Sequence, residues 1–290
     1  MCELPVRPVW NGRIVNIMSL AILLATYNGE RYLEAQIESL LAQTFSAFDL
    51  YIRDDGSTDA TPRIIDDFEK KYPNIHRVTS VPGSLGAYRN FMFLLEHADA
   101  DYYMFCDQDD VWMADKIQVS MDAIRELEER YPGRAALIFT DLSLVGPRLE
   151  MIAPSSWKLT KTDPELALKY LDGSCPMAGC TMLFNRAAKA VSLPASANGW
   201  IHDYWVALNV ARNGAIGYVN RPTILYRQHG NNVIGTTAYP ENLIWTKLKG
   251  FRRMMKINGK SYRMVRHVNG TSLLGYWMTK IQYAVRRRKL

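Results

Sequence analysis

The alternation of strand-like and helix-like segments constrains this chain more than any other feature. The run LAILLATY (20–27) is apolar throughout, which suits a strand covered on both faces. After it, Leu33, Ile37, Leu40 and Leu41 recur at i, i+4, i+7 and i+8, a helical stripe. FDLYIRDD (48–55) reads as a second strand. Thr61 and Pro62 then mark a helix start, as N-cap and first helical residue, with Ile64, Ile65 and Phe68 on one side. A helix over 87–97 carries Phe91, Leu94 and Leu95. DYYMFCD (101–107) is a further strand, and a helix over 114–130 carries Ile117, Met121, Ile124 and Leu127. This order predicts an α/β fold, a mostly parallel central sheet with helices on both faces. Ligands of such sheets bind beyond the carboxyl ends of the strands. Three polar clusters, ATYNGE, RDDGSTD and CDQDD, fall at those ends, so one shared site explains them better than three accidents.

The second half is more mixed. ALIFTDLSLV (136–145) and CTMLFN (180–185) read as strands, and IHDYWVALNVARNG (201–214) as a helix with Gly214 just past its end. AIGYVN and TILYRQH read as two short strands. Beyond Gly235 the chain is expected to be helical or irregular. Its charge is lopsided: from Glu241 onward there are 13 Lys and Arg against one acid, leaving 22 basic and 28 acidic residues for 1–240. A basic tail suits an anionic membrane surface or a nucleic acid. No apolar run reaches the ~20 residues that span a bilayer, and SLAILLATY lacks the cleavage site of a secretory signal. Cys2, Cys106, Cys175 and Cys180 have no zinc-type spacing; Cys106 and Cys180 read as buried, reduced core residues. These features predict a cytoplasmic protein.

FCDQDDVW (105–112) places three carboxylates in four residues. Alternate strand residues point the same way, roughly 6–7 Å apart, so Asp107 and Asp109 can converge while Asp110 points elsewhere or caps the next helix. Neighbouring carboxylates repel unless a positive charge lies between them. Oxygen-rich sites of this kind suit Mg2+ or Mn2+ carrying substrate phosphates. Taken alone, the same acids could equally be solvated caps of the 114–130 helix.

The segments ILLATYNGERYLEAQIESLLAQTF, YIRDDGSTDAT, LGAYRNF and CDQDDVWMADKI resemble, in order and spacing, the nucleotide-sugar half of the family 2 inverting glycosyltransferases. More narrowly, DQDDVW and the later YRQH with its following Asn and Gly resemble bacterial rhamnosyltransferase-like members. The likeness covers roughly 20–235. It implies the A-type glycosyltransferase fold, a Rossmann-like sheet. The expected organisation is an extension over 1–17, a catalytic domain over 18–235 and a basic helical segment over 236–290. Within the catalytic domain, 18–115 is the nucleotide-sugar half and 116–235 the acceptor half.

The resemblance also implies roles. Thr26, Tyr27 and Glu30 fall where the first strand end contacts the nucleotide. Asp55 would accept a hydrogen bond from the imide N–H of uracil or thymine, which fits an acceptor-only carboxylate; an Asx-type turn before Gly56 also explains Asp54–Asp55. Arg89 matches a nucleotide-contacting base, or is a solvated helix arginine. Asp109 would bind the cation, Mn2+ or Mg2+, with Asp107 on the ribose or a metal-bound water and His229 as a late metal ligand; a structural histidine is the plainer alternative. Asp203 falls at the general-base position. It could also cap the 203–213 helix, and a helix N-terminus would lower its pKa. Trp200 and Tyr204 could pack a sugar face, whereas Trp205 reads as core.

The implied function is inverting transfer of a sugar from a nucleotide-diphosphate donor, dTDP-L-rhamnose first and a UDP-hexose second. The expected acceptor is a growing surface polysaccharide or lipid-linked glycan. A glycoside hydrolase would need two acids flanking a sugar bond and leaves DDGSTD and YRNF unexplained. The tail lacks a nucleic-acid recognition motif, so no nucleic-acid partner is expected. YWMTKIQYAVRRRKL instead could lie on an anionic bilayer, peripheral to the inner face of the cytoplasmic membrane, or pack on the catalytic domain.

Overall fold

The computed structural model describes residues 9–10, 13–14, 18–79, 83–229 and 245–288. Cys2, most of the 1–17 extension and the 236–244 part of the basic segment lie outside the described residues. A short hairpin, β1 (Val9–Trp10) and β2 (Arg13–Ile14), stands apart from the main sheet. The first half of the chain then runs β3 (Leu20–Thr26), α1 (Leu33–Leu41), β4 (Asp49–Asp54), α2 (Thr61–Lys71), β5 (Ile75–Arg77), α3 (Ala87–His97) and β6 (Tyr102–Asp107). It continues through β7 (Val111–Trp112), α4 (Lys116–Arg130), β8 (Ala135–Val145), β9 (Met151–Ala153), α5 (Ser156–Thr160), α6 (Pro164–Lys169) and β10 (Met182–Asn185). The chain closes with α7 (Arg186–Ser192), α8 (His202–Asn213), β11 (Gly214–Arg227), α9 (Trp245–Asn269) and α10 (Leu273–Arg287).

The sheet order is β5-β4-β3-β6-β10-β8-β11-β7, with β9 on β8. The strands of the first half are parallel. β10 enters antiparallel between β6 and β8, while β11 returns parallel to β8. Strand residues alternate between two apolar layers. Leu23, Tyr103, Phe105, Leu137 and Phe184 face α3, α7, α8 and the C-terminal helices. Ile22, Leu24, Met104, Ile138 and Leu183 face α1, α2 and α4. Each fully buried Leu, Ile or Phe contributes roughly 1.5–3 kcal/mol, so period-2 burial on both faces fixes the register. α9 and α10 share this core through Met264, Val265 and Tyr276.

Three sequence expectations change. Thr61 is the first helical residue of α2, not its cap, and its hydroxyl accepts the Gly29 N–H at 2.8 Å. AIGYVN and TILYRQH form one strand, β11, whose register shifts on either side of Pro222. Proline has no N–H to give the ladder, so the strand bulges there rather than ending. Asp110 does not cap α4; Asp115 holds that position, and Asp110 is wholly buried.

Gly214 joins α8 to β11 with its α-carbon against the Ala135 carbonyl, and a Cβ there would collide with that backbone oxygen. Because β8 cannot recoil without breaking its ladder, Gly214→Ala is expected to cost about 1–3 kcal/mol. The check is a lower urea midpoint with unchanged slope.

Candidate active site

The carboxyl ends of β3, β4 and β6 open into one groove of about 1640 Å3. Its far wall comes from the 173–181 segment, the start of α8, and the inner faces of α9 and α10. Of the residues picked from sequence, Thr26, Tyr27, Asp55, Arg89, Asp107, Asp109, Asp203 and His229 all line it. Glu30 does not. Its carboxylate turns to the loop before α2 and accepts the Ala60 N–H at 2.8 Å, so the structure gives it a turn-holding task instead of a nucleotide contact.

The two acids after β4 divide their work. Asp54 makes the turn, accepting from Ser57 N and Thr26 Oγ1 at 3.0 Å each, and Gly56 takes the φ of +91° that this turn requires. Asp55 faces the groove. It is buried, which alone would raise its pKa. Four donors outweigh that and hold it below the usual carboxylate value: Leu85 N, Ser84 Oγ, Arg53 Nη1 and Gly86 N, at 2.6–2.8 Å. A carboxylate offers about four lone-pair sites, so all are taken. Of the four donors, only the Ser84 hydroxyl can rotate away without moving backbone or breaking the buried Arg53 pair.

Across the groove floor, Gln108 bonds reciprocally to the backbone of Tyr27, at 2.8 and 3.0 Å, and so ties the β3 end to the acidic loop. β7 pairs antiparallel with β11 through Val111–Leu225 and Trp112–Ile224. That register carries residues 227–229 alongside 109–110. Arg227 N donates to Asp110 Oδ1 at 3.1 Å and Arg227 Nε to the Asp109 carbonyl at 2.8 Å. His229 Nε2 meets Asp109 Oδ2 at 2.7 Å.

The acids are crowded and buried. Burial pushes Asp107 up to about 7, helped by the charges of Asp109 and Asp203 and opposed by the Cys180 thiol. Asp110 is raised well above the usual carboxylate value by burial and by the charges of Asp107 and Asp109, opposed by Arg227 N and the Cys180 thiol. Asp107, Asp110 and Cys180 also bring ligand atoms within 4.8 Å of one another, but Asp110 and Cys180 do not reach the groove. Carboxylates and an imidazole are ligand types that a hard divalent cation can use. Those that line the groove are Asp107, Asp109 and His229, of which Asp109 and His229 are in contact.

Asp203 lies in the first turn of α8 but is not its cap, a position held by Ile201. Its Oδ1 accepts its neighbour's amide, Tyr204 N, at 2.5 Å. Burial raises its pKa to about 6 against the amide bonds of Tyr204 and Gly179, so desolvation beats the helix-terminus effect expected from sequence. Trp200 and Tyr204 are on the wall, whereas Trp205 is core and gives its indole N–H to Ser192 O at 2.8 Å.

His202 escaped the sequence reading. Its ring stacks on Phe91 at 3.9 Å, its Nε2 has no partner among the described residues, and burial drops its pKa to about 3. It is therefore a neutral imidazole beside Asp203. The only sequence signal was its place next to that acid.

Residues 21–190 match the family described as Glycosyl transferase family 2. The chain is 30% identical over 255 residues to dTDP-rhamnosyl transferase RfbG of Shigella flexneri, covering 83% of this chain and 81% of that one. It is 24% identical over 204 residues to UDP-Glc:alpha-D-GlcNAc-diphosphoundecaprenol beta-1,3-glucosyltransferase WfgD of Escherichia coli, covering 69% and 73%. Among solved structures, S. aureus TarS 1–349 in complex with UDP-GlcNAc aligns with a TM-score of 0.58 at 15% identity, over 92% of this chain and 72% of that one. At that identity the likeness is one of fold.

Proposed function

Given that this chain belongs to glycosyltransferase family 2, we propose that it moves L-rhamnose from dTDP-rhamnose to a hydroxyl of a growing surface polysaccharide or lipid-linked glycan, with inversion. The observation that carries this reading is the single groove that holds Asp55, Asp107, the Asp109–His229 pair and Asp203 on its walls. The donor's pyrimidine sits at Asp55, whose Ser84 hydroxyl yields its place to the imide N–H. Thr26, Tyr27 and Arg89 flank the nucleotide.

Asp109, His229 and Asp107 would hold Mn2+ or Mg2+, which when bound offsets charge on the departing diphosphate. Asp203 takes the proton from the acceptor hydroxyl as that oxygen attacks the anomeric carbon opposite the leaving group. Its pKa near 6 keeps it ionised at neutral pH and more basic than an ordinary aspartate. The reaction is placed at the inner face of the cytoplasmic membrane, where a lipid-linked acceptor of the kind named for the E. coli relative would be met.

A UDP-hexose donor is the second reading. Asp55 accepts from uracil and thymine alike, and the E. coli relative is named for UDP-Glc.

Calorimetric titration with dTDP-rhamnose, UDP-glucose, dTDP and UDP, each with Mn2+ and with EDTA, tests the proposal. Metal-dependent binding, tightest for dTDP-rhamnose, is expected. Tighter UDP-glucose moves the donor to the second reading, and no binding of any nucleotide with metal present overturns both.

A further inference from the structure

The C-terminal helix α10 has two apolar faces, and only one of them is used by the fold. Tyr276, Lys280 and Tyr283 recur at i, i+4 and i+7 and face inward: both tyrosines are buried, and Lys280 Nζ donates to the Gly173 carbonyl at 2.8 Å. On the opposite side, Leu274, Met278, Ile281 and Val285 recur at i, i+4, i+7 and i+11. They are 72, 49, 60 and 50% exposed. Four large side chains in one line on a helix of about 22 Å form a continuous stripe rather than scattered exposure.

The charge that the two C-terminal helices themselves carry is of one sign. Residues 245–290 contain 13 Lys and Arg and no Asp or Glu. Arg286, Arg287 and Arg288 stand at the end of the stripe, with Arg286 and Arg288 exposed. No helix among the described residues is long and apolar enough to cross a membrane. We propose that the outward face of α10 rests in the headgroup layer of an anionic bilayer, with Leu274, Met278, Ile281 and Val285 entering the acyl boundary and the arginines on lipid phosphates. A second copy of the chain is a poorer occupant. A two-fold interface on this face would set two acid-free basic clusters against each other.

The placement has a consequence for the site. Tyr276 and Lys280, on the inner face of the same helix, line the groove. Membrane and groove are then separated by one helix diameter, roughly 10–12 Å. Resting on the transferase reading above, this geometry selects an acceptor whose reacting hydroxyl lies close to its lipid anchor over one that has grown far from the bilayer.

The test is flotation of the full chain with phosphatidylcholine vesicles, with and without phosphatidylglycerol. Three proteins are compared: wild type, Met278→Ser with Ile281→Ser, and Arg286→Gln with Arg288→Gln. Wild type is expected to float only with the anionic lipid. The apolar pair should weaken partitioning roughly tenfold or more, and each arginine about fivefold, with the loss shrinking in high salt. Unchanged flotation of the Met278/Ile281 variant overturns the proposal, as does absence of wild-type flotation. A wild-type dimer by light scattering, made monomeric by the same pair without any flotation, would assign the stripe to self-association. Because the substituted side chains are exposed and off the groove, nucleotide titration of each variant reports on the transferase reading separately. Lost nucleotide binding with retained flotation fails that reading alone.

Discussion

Asp109→Ala is expected to abolish metal-dependent binding of pyrimidine diphosphates while the chain stays folded. The carboxylate is on the groove wall, and its Oδ2 is 2.7 Å from His229 Nε2. It also adds to the charge that raises Asp107 and Asp110. Removing it takes away the proposed cation ligand and relieves like-charge repulsion in the same stroke, so binding should suffer while stability does not. A lost carboxylate ligand at a hard-cation site removes several kcal/mol of charge stabilisation, which puts nucleotide affinity at least ~100-fold lower. Titration with Mn2+ should then resemble the wild type in EDTA. An Asp109→Ala protein that still binds the nucleotide more tightly with Mn2+ than with EDTA would move the cation elsewhere, with Asp107, Asp110 and Cys180 the next set to change.

Asp203→Asn should do the opposite: donor binding stays and turnover falls by about 10²–10⁴. Asparagine keeps the oxygen that accepts Tyr204 N but cannot take a proton. In the wild type, kcat/KM should rise as pH passes through about 6, the value to which burial lifts this carboxyl, and level off above it. The variant should lack that limb. Normal turnover by Asp203→Asn would remove the base assignment.

A stability signature accompanies it. The folded-state pKa of Asp203 is raised, so its contribution is fullest below its ordinary value and is lost as pH rises through 6. At pH 8 a shift from 3.8 to about 6 corresponds to a burden on the order of 3 kcal/mol. Asp203→Asn should therefore exceed the wild type in urea stability at pH 8, and the gap should close toward pH 4. Equal stabilities at both pH values would mean that Asp203 is better solvated than its surroundings indicate.

Much of the fold was legible because its signals are local. β3, its flanking helix α1, and α3 and α4 declare themselves by apolar runs and i, i+4 stripes whose partners lie within a few residues. The direction of β10 was not legible: four residues carry no mark of orientation, which is set by the strands on either side. AIGYVN and TILYRQH read as two strands because sequence does not show the irregularity around Pro222 that lets one strand continue.

At the site, strand spacing brought Asp107 and Asp109 together, and the family resemblance pointed to Asp55, Asp203 and His229. What sequence could not show was desolvation. The rise of Asp203, the rise of Asp110 and the neutral His202 all follow from burial, a property of the assembled groove. Glu30 failed for the same kind of reason, since the loop that claims its carboxylate is thirty residues away along the chain.

The antiparallel insertion of β10 also dictates an order of assembly. β6 and β8 are separated by one helix and a two-residue strand in sequence, yet they never bond; each waits for Met182–Asn185, made much later during synthesis. Until that short strand arrives, the nascent chain presents two long unpaired edges across a slot one strand wide. Unpaired edges of this kind recruit other chains, and closing such distant contacts is slow. Protection of the amides in Tyr102–Met104 that face β10 should therefore develop late in refolding, after those of β3 that face β4. A chain cut before Met182 would keep β3 to β6 complete in sequence but is expected to aggregate, so the first half of the sheet depends on a strand from the second for its solubility.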